Sequence, residues 1–241
     1  MSDAPVSAPP EHHEAHDGSI AGRLNWLRAG VLGANDGIVS TAGLVMGVAG
    51  ATSDRGTILV AGVAGLAAGA LSMAAGEYVS VSTQSDSELA LLEKERRELA
   101  EEPDDELEEL AGLYVQKGLS ETLALQVAKE LTAHDALGAH AEAELGIDPD
   151  DISSPWHAAW ASMIAFTIGA LLPLLTITLF APGARVAVTV VSVLLALALT
   201  GWASARFGYG PPRRAVVRNV LGGLFAMAVT YAIGSLLGTH V

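Results

Sequence analysis

Apolar and polar positions along this chain fall into separate blocks. Residues 1–22 are polar and rich in Pro, Ala and His, lack the apolar stretch of a signal peptide, and read as a disordered tail. Five apolar runs follow, at roughly 27–50, 57–82, 156–180, 184–206 and 215–238. Each is long enough to cross a hydrocarbon core of about 30 Å at about 1.5 Å per residue. Gly, Ala, Leu and Val dominate all five, and none alternates as a barrel strand does. Transmembrane helices are therefore predicted, because backbone groups in lipid have to be satisfied within the segment.

The stretch 83–152, between the second and third runs, is patterned differently. Its charges are interleaved with apolar residues at helical spacing: Leu89, Leu92 and Leu99, then Leu107, Leu110 and Leu113, then Leu123, Val127 and Leu131. Pro103 interrupts a first helix that can continue straight out of the second span. Gly118 and Ser120 read as a helix stop and an N-cap, and Gly146 with Pro149 ends a third helix. The predicted fold is all-α: a tail (1–22), transmembrane helices 1–2 (23–82), a three-helix segment (83–152) and transmembrane helices 3–5 (153–241).

Charge sharpens this division. The chain is 51% hydrophobic yet carries a formal net charge of −14. Residues 86–151 hold 20 Asp and Glu against 5 Lys and Arg, slightly more than the whole net charge. Such a balance leaves nucleic acid out as a partner. With no cysteine, disulfides, thiolate metal sites and Cys nucleophiles are all excluded. Arg23, Arg28, Arg206, Arg213, Arg214 and Arg218 lie near one set of span ends, and only Arg55 and Arg185 near the other. That asymmetry places the tail and the acidic segment in the cytoplasm and the C-terminus outside.

Within the spans, Asp36 sits in Val31–Val48, a run otherwise free of charge, and Glu77 lies near the end of the second span. A carboxylate at bilayer depth costs on the order of 2.5–3.5 kcal/mol and marks a functional site by default. Counting from Leu27, the chain reaches Asp36 at a depth of roughly 13 Å, and Met73 on the returning span lies at a similar depth. Glu77 is one turn nearer the cytoplasm than Met73 on the same helix face. Oxygen with thioether suits a first-row divalent metal better than calcium or magnesium. Taken singly, Met73 reads as a lipid-facing residue or packing filler, and Glu77 reads as well as a snorkelling interfacial residue. Asn35 and Gly37 are suited to a turn in a broken helix, itself a mark of a binding site. No Lys or Arg falls inside the predicted spans at the depth of Asp36. Gly65 and Gly69 form a GxxxG pair for close helix contact.

The run Gly33-Ala34-Asn35-Asp36-Gly37-Ile38-Val39-Ser40, with Gly65-Leu66-Ala67-Ala68-Gly69-Ala70-Leu71-Ser72-Met73-Ala74-Ala75-Gly76-Glu77-Tyr78-Val79-Ser80, resembles the vacuolar iron transporter (VIT) family. The likeness extends over everything but the tail. It implies a homodimer of five-helix subunits that moves Fe²⁺ or Mn²⁺ out of the cytoplasm in exchange for protons, without a prosthetic group. It also implies that Asp36 and Met73 line the ion path at the dimer interface, and that the cytoplasmic helices form an acidic metal-binding domain. The family's first two pairs of domain glutamates fall on Glu95 with Glu98 and on Glu106 with Glu109, each pair at i, i+3. Aligned on the Glu-Leu-Gly run, Glu144 is kept, while the family's adjacent methionines become His140 and Ala141. His140 and Glu144 remain i, i+4 neighbours competent for divalent metal, in a harder ligand set.

The function expected is divalent metal export. The rival reading, a membrane-anchored di-iron carboxylate oxidase of the ferritin-like kind, uses Glu-x-x-His pairs, and no His here has Glu three residues before it. A metal-binding protein without transport is a second alternative. The tract from Glu11 to Asp17 is a compositional hint of metal binding, with plain disorder the favoured reading. His134 and Asp135 read as surface residues near the third helix. A short, Cys-free, Ala- and Gly-rich chain suggests a bacterium, hence a multi-pass protein of the plasma membrane.

Overall fold

The computed structural model describes residues 20–208 and 210–238, with side chains placed from Gly30 onward. The expectations for the tail, including the Glu11–Asp17 tract, fall outside the described residues apart from the first turn of the first helix. The helices are α1 (Ile20–Ala51), α2 (Arg55–Glu101), α3 (Pro103–Gln116), α4 (Glu121–His140), α5 (Pro155–Leu179), α6 (Pro182–Phe207) and α7 (Pro212–Gly238). A π-helical turn, Ala141–Leu145, extends α4. No strand occurs among the described residues. Helices α1, α2, α5, α6 and α7 are long and apolar enough to cross a membrane.

Local chemistry sets the ends. Asp54 caps α2, its Oδ2 accepting from the Thr57 backbone N–H at 2.6 Å and from the Thr57 hydroxyl at 2.7 Å. Proline occupies the first turn of α3, α5 and α6, where its missing N–H costs nothing. Gly118 leaves α3 at φ 103° and Gly146 ends the π turn at φ 66°, both in the left-handed region that favours glycine. Helix α2 passes Ser82 without a break and ends at Glu101, two residues before Pro103. At about 1.5 Å per residue its 47 residues span about 70 Å, over twice a hydrocarbon core. Its second half is thus a rigid extension on which α3 and α4 fold back.

Helix α1 is the hub, packing on α2, α5, α6 and α7. Ile38, Ala42, Val45 and Met46 of α1 meet Ile58, Leu174, Ile177, Val193, Leu197 and Met227 in one buried cluster. Close approach comes from missing side chains: a Cβ on Gly37 would collide with the Phe166 carbonyl, one on Gly169 with that of Ala34, and one on Gly234 with that of Gly47. Small-residue contact of this kind is how helices associate in lipid, where apolar burial gives little drive. The GxxxG pair makes its close helix contacts through side chains of the facing helices. Gly65 makes room for the Leu44 side chain and Gly69 for the Phe166 ring.

At the end remote from α3 and α4, Arg185 is 4% exposed and donates from Nη2 to the Ser53 carbonyl oxygen at 2.8 Å. It ties the start of α6 to the α1–α2 connection. Trp156, Trp160 and Trp202 are exposed at span ends, and the Trp156 ring lies 4.9 Å from that of Tyr78.

Candidate functional sites

The first site lies among the spans. Asp36 on α1 and Met73 on α2 are both half-buried and line two adjoining cavities. One, of about 450 Å³, is completed by Asn35, Val39, Arg218, Asn219 and the glycines 222 and 223. The other, of about 230 Å³, is completed by Ser40, Thr41, Ser72 and Phe166 among others. Asp36 and Met73 thus border the same two cavities. Glu77 is half-buried one turn away on α2 and lines neither cavity.

Two expectations are corrected here. The Asn35–Gly37 segment is not a turn in a broken helix, because α1 is continuous from Ile20 to Ala51 and Gly37 serves the contact with α5. Nor is Asp36 without a basic neighbour: Arg218 of α7 borders the same cavity. Sequence depth alone missed this because α1 and α7 lie side by side, Gly223 facing Val39 and Gly43 facing Thr230. In the sequence Asn35 stands out only for its turn propensity. Its Oδ1 is buried without a hydrogen-bond partner beside the Asp36 cavity. A buried carbonyl oxygen left unpaired this way is available to a cation.

The second site lies where α2, α3 and the end of α4 converge. His140 Nδ1 is 2.9 Å from Glu95 Oε1, 3.5 Å from Glu106 Oε2 and 4.0 Å from Glu144 Oε2. His140 is 0%, Glu95 2% and Glu106 7% exposed, with Glu144 at the open side. One ligand atom each from Glu95, His140 and Glu144 lie within 4.8 Å of one another. Despite the 2.9 Å separation, His140 Nδ1 and Nε2 and Glu95 Oε1 all lack a hydrogen-bond partner of proper geometry. Atoms that converge without bonding one another could serve as ligands around a shared point.

Of the expected glutamate pairs, one member of each turns inward. Glu98 instead accepts from Lys94 Nζ at 2.6 Å, and Glu109 is exposed at the rim. Burial pushes the Glu95 carboxyl up to about 7, reinforced by Glu144, Glu106 and Glu98. Burial and neighbouring carboxylates likewise raise Glu106 and Glu144, while burial lowers His140. Three acidic groups around a neutral imidazole, with the nearest lysine engaged elsewhere, make a buried cluster whose charge calls for a cation.

Asp135, expected at the surface, has a structural part in this site. It leaves the helix at φ −156°, ψ 95°, and its Oδ1 accepts from the Gly138 N–H at 3.0 Å, starting a second helical piece. The π turn follows at once, and together they aim His140 and Glu144 at Glu95. Wide turns of this kind recur at functional sites. The only sequence signal is an Asp three residues before a Gly inside a helical pattern, which reads as an N-cap.

Comparison with known proteins bears on both sites. The profile of the VIT family matches residues 27–235. A vacuolar iron transporter of Acanthamoeba castellanii is 45% identical over 226 residues, covering 92% of this chain and 82% of that protein. Vacuolar iron transporter homolog 4 of Arabidopsis thaliana is 36% identical over 219 residues, covering 90% and 87%. VIT-like transporter 1b of Glycine max is 36% identical over 217 residues, covering 90% and 78%.

Proposed function

The chain belongs to the VIT family, and from that premise we propose that it exports a divalent transition-metal ion, Fe²⁺ or Mn²⁺, from the cytoplasm in exchange for protons. It is a multi-pass membrane protein and a transporter, not an enzyme. The oxidase alternative falls with that assignment. The observation that carries the reading is the cavity pair shared by Asp36 and Met73 between helices long enough to span a membrane.

The acidic segment, projecting into the cytoplasm on the extension of α2, captures ions with Glu95, Glu106, His140 and Glu144. Glu98 and Glu109 at the rim attract them electrostatically. Imidazole and carboxylate make this a hard, first-row site. Glu77 receives ions at the membrane surface. Asp36, the Met73 thioether and the Asn35 carbonyl then hold them at depth. A proton arriving from the far side on Asp36 removes the charge that binds the ion, which couples release to proton entry.

The exposed face of α1 supports a homodimer. Leu32, Ser40 and Leu44 are exposed at i, i+4 spacing and Asp36 lies between them, on a helix otherwise packed by every other span. A carboxylate on such a stripe is costly against lipid, and pairing of two subunits through α1 and α2 covers it. Basic residues at the ends of α6 and α7 support a cytoplasmic acidic segment and an external C-terminus. The names of the relatives above place two of them at a vacuole. For this chain our reading is a bacterial plasma membrane, and both settings draw ions from the cytosol.

The test is uptake of Fe²⁺, Mn²⁺, Co²⁺ and Zn²⁺ by proteoliposomes with and without a pH gradient. Gradient-driven Fe²⁺ or Mn²⁺ flux is expected, and flux no greater than in protein-free vesicles would overturn the reading.

A further inference from the structure

We propose that Arg218 is a tethered cation of the ion path, occupying the cytosolic cavity beside Asp36 when no metal is there and withdrawing when metal enters. The inference rests on the transport reading above and adds a residue to it. Arg218, Asn219, Gly222 and Gly223 form the α7 wall of the cavity that Asp36 and Met73 line from the other side. Gly223 faces Val39, so counting back along two helices that run together puts the Arg218 and Asp36 backbones within roughly one helical turn in height. Among the described residues Arg218 makes no ion pair or hydrogen bond, although the carboxylate shares its cavity.

An Arg this close to a cation path has either to stay out of the way or to work. Side chains on a helix lean toward its N-terminus, which for α7 directs the guanidinium to the cytosolic mouth. Gly222, one turn deeper, has nothing within 4 Å of where its Cβ would be. That open notch lets the same side chain fold down toward Asp36. An empty, charged Asp36 in a low-dielectric wall attracts it, and an arriving divalent ion with twice the charge on the same carboxylate displaces it to the lipid headgroups or water. Lying beside Asp36, the guanidinium balances its charge with a planar fork of donors. Its return after the ion departs closes the cavity to backflow and to monovalent cations.

The test uses the full chain in proteoliposomes, with Mn²⁺ as the probe, and three variants: Arg218→Gln, Arg218→Lys and Asp36→Asn. Removing the tethered charge should lower KM for Mn²⁺ by about tenfold, the scale of a partly screened repulsion between charges sharing one wet cavity. It should also open a leak of protons or Na⁺ in metal-free vesicles, and Arg218→Lys should restore both values. Arg218→Gln with wild-type KM and tight vesicles would overturn the proposal. So would Gln and Lys variants that both raise KM, the signature of a headgroup anchor. Equilibrium Mn²⁺ binding in detergent gives a second readout, in which Arg218→Gln should bind more tightly than wild type; unchanged or weaker binding counts against the role. A wild type that moves no metal, indistinguishable from Asp36→Asn, would instead refute the transport reading.

Discussion

Nδ1 of His140 and Oε1 of Glu95 lie 2.9 Å apart without a hydrogen bond between them, one at the end of α4 and the other on the extension of α2. The contact joins the acidic helices to the same 47-residue rod that carries Met73. On the proposed function, an ion held here would clip α4 to α2, and its loading would be felt by the helix that carries Met73. Glu106 of α3, 3.5 Å from the same nitrogen, brings in the third helix.

Removing either partner should therefore uncouple binding and rigidity together. In the full-length protein, Glu95→Gln or His140→Ala is expected to weaken Mn²⁺ binding at this cluster by at least about tenfold, the cost of losing a positioned ligand group. The rise in melting temperature that saturating Mn²⁺ produces in wild type should shrink in parallel. Isothermal titration and thermal scans check this, and wild-type affinity in both variants would remove the pair from the site.

Acid should release the ion. Glu95 titrates at about 7 against an ordinary value of 4.5, because it is buried among Glu144, Glu106 and Glu98. A carboxyl raised on folding favours the metal-free fold at low pH, and that preference is lost as pH rises through about 7. Glu106 and Glu144 shift in the same direction. His140 opposes them: its lowered value contributes stability above its ordinary 6.5 that is lost as pH falls through the folded value. Metal-free protein should thus gain thermal stability as pH drops from about 8 toward about 6.5, while Mn²⁺ affinity falls over the same window. Affinity that is flat across it would count against Glu95 as a ligand.

How much of this was legible in the sequence depends on the range of the signal. The spans, the run-on of α2 and the stop at Pro103 follow from period and punctuation, which are local. Asp36 and Met73 stand at one depth by residue count, because two consecutive helices of opposite direction share one ruler. Arg218 escaped that reasoning: which helix lies beside α1 is decided by the glycine contacts Gly47–Gly234 and Gly43–Thr230, and no local pattern reports them. The inward turn of Glu95 and Glu106 and the outward turn of Glu98 and Glu109 likewise depend on how three helices meet. Their i, i+3 spacing alone treats the members of a pair as equivalent.

Gly37 tests the packing that places Asp36. A Cβ there would strike the Phe166 backbone, which cannot move aside as a flexible side chain would. Gly37→Ala is expected to destabilise the protein by about 1–3 kcal/mol and to depress transport by shifting α1 from α5. Gly76→Ala, with open space around its Cβ position, is the control and should leave thermal stability in detergent unchanged.

The dimer face is testable in this Cys-free background. Gly43 is no place for a probe, since it is buried against Thr230 within the subunit. Ser40→Cys lies on the exposed stripe of α1 and should form a disulfide across a twofold axis in membranes. Leu236→Cys, on the exposed face of α7, should not. The opposite pattern would move the interface to α7.

Asp36→Asn is the sharpest test of the path. Asn keeps the shape and one acceptor oxygen but carries no charge and takes up no proton, so metal binding and proton coupling should be lost together. Stability should survive, for a reason the structure supplies. Among the described residues Asp36 forms no ion pair, and Arg218, which shares its cavity, is exposed and turns to water or headgroups once the carboxylate charge is gone, so the substitution strands no buried cation. Removing a half-buried carboxylate from the span instead lowers the cost of insertion. Had Asp36 been locked in a buried salt bridge, its loss would cost about 3–5 kcal/mol. The experiment pairs gradient-driven Fe²⁺ or Mn²⁺ flux with thermal stability in detergent. Flux at the level of empty vesicles with an unchanged melting temperature is the expected result, and retained flux would end the role proposed for Asp36.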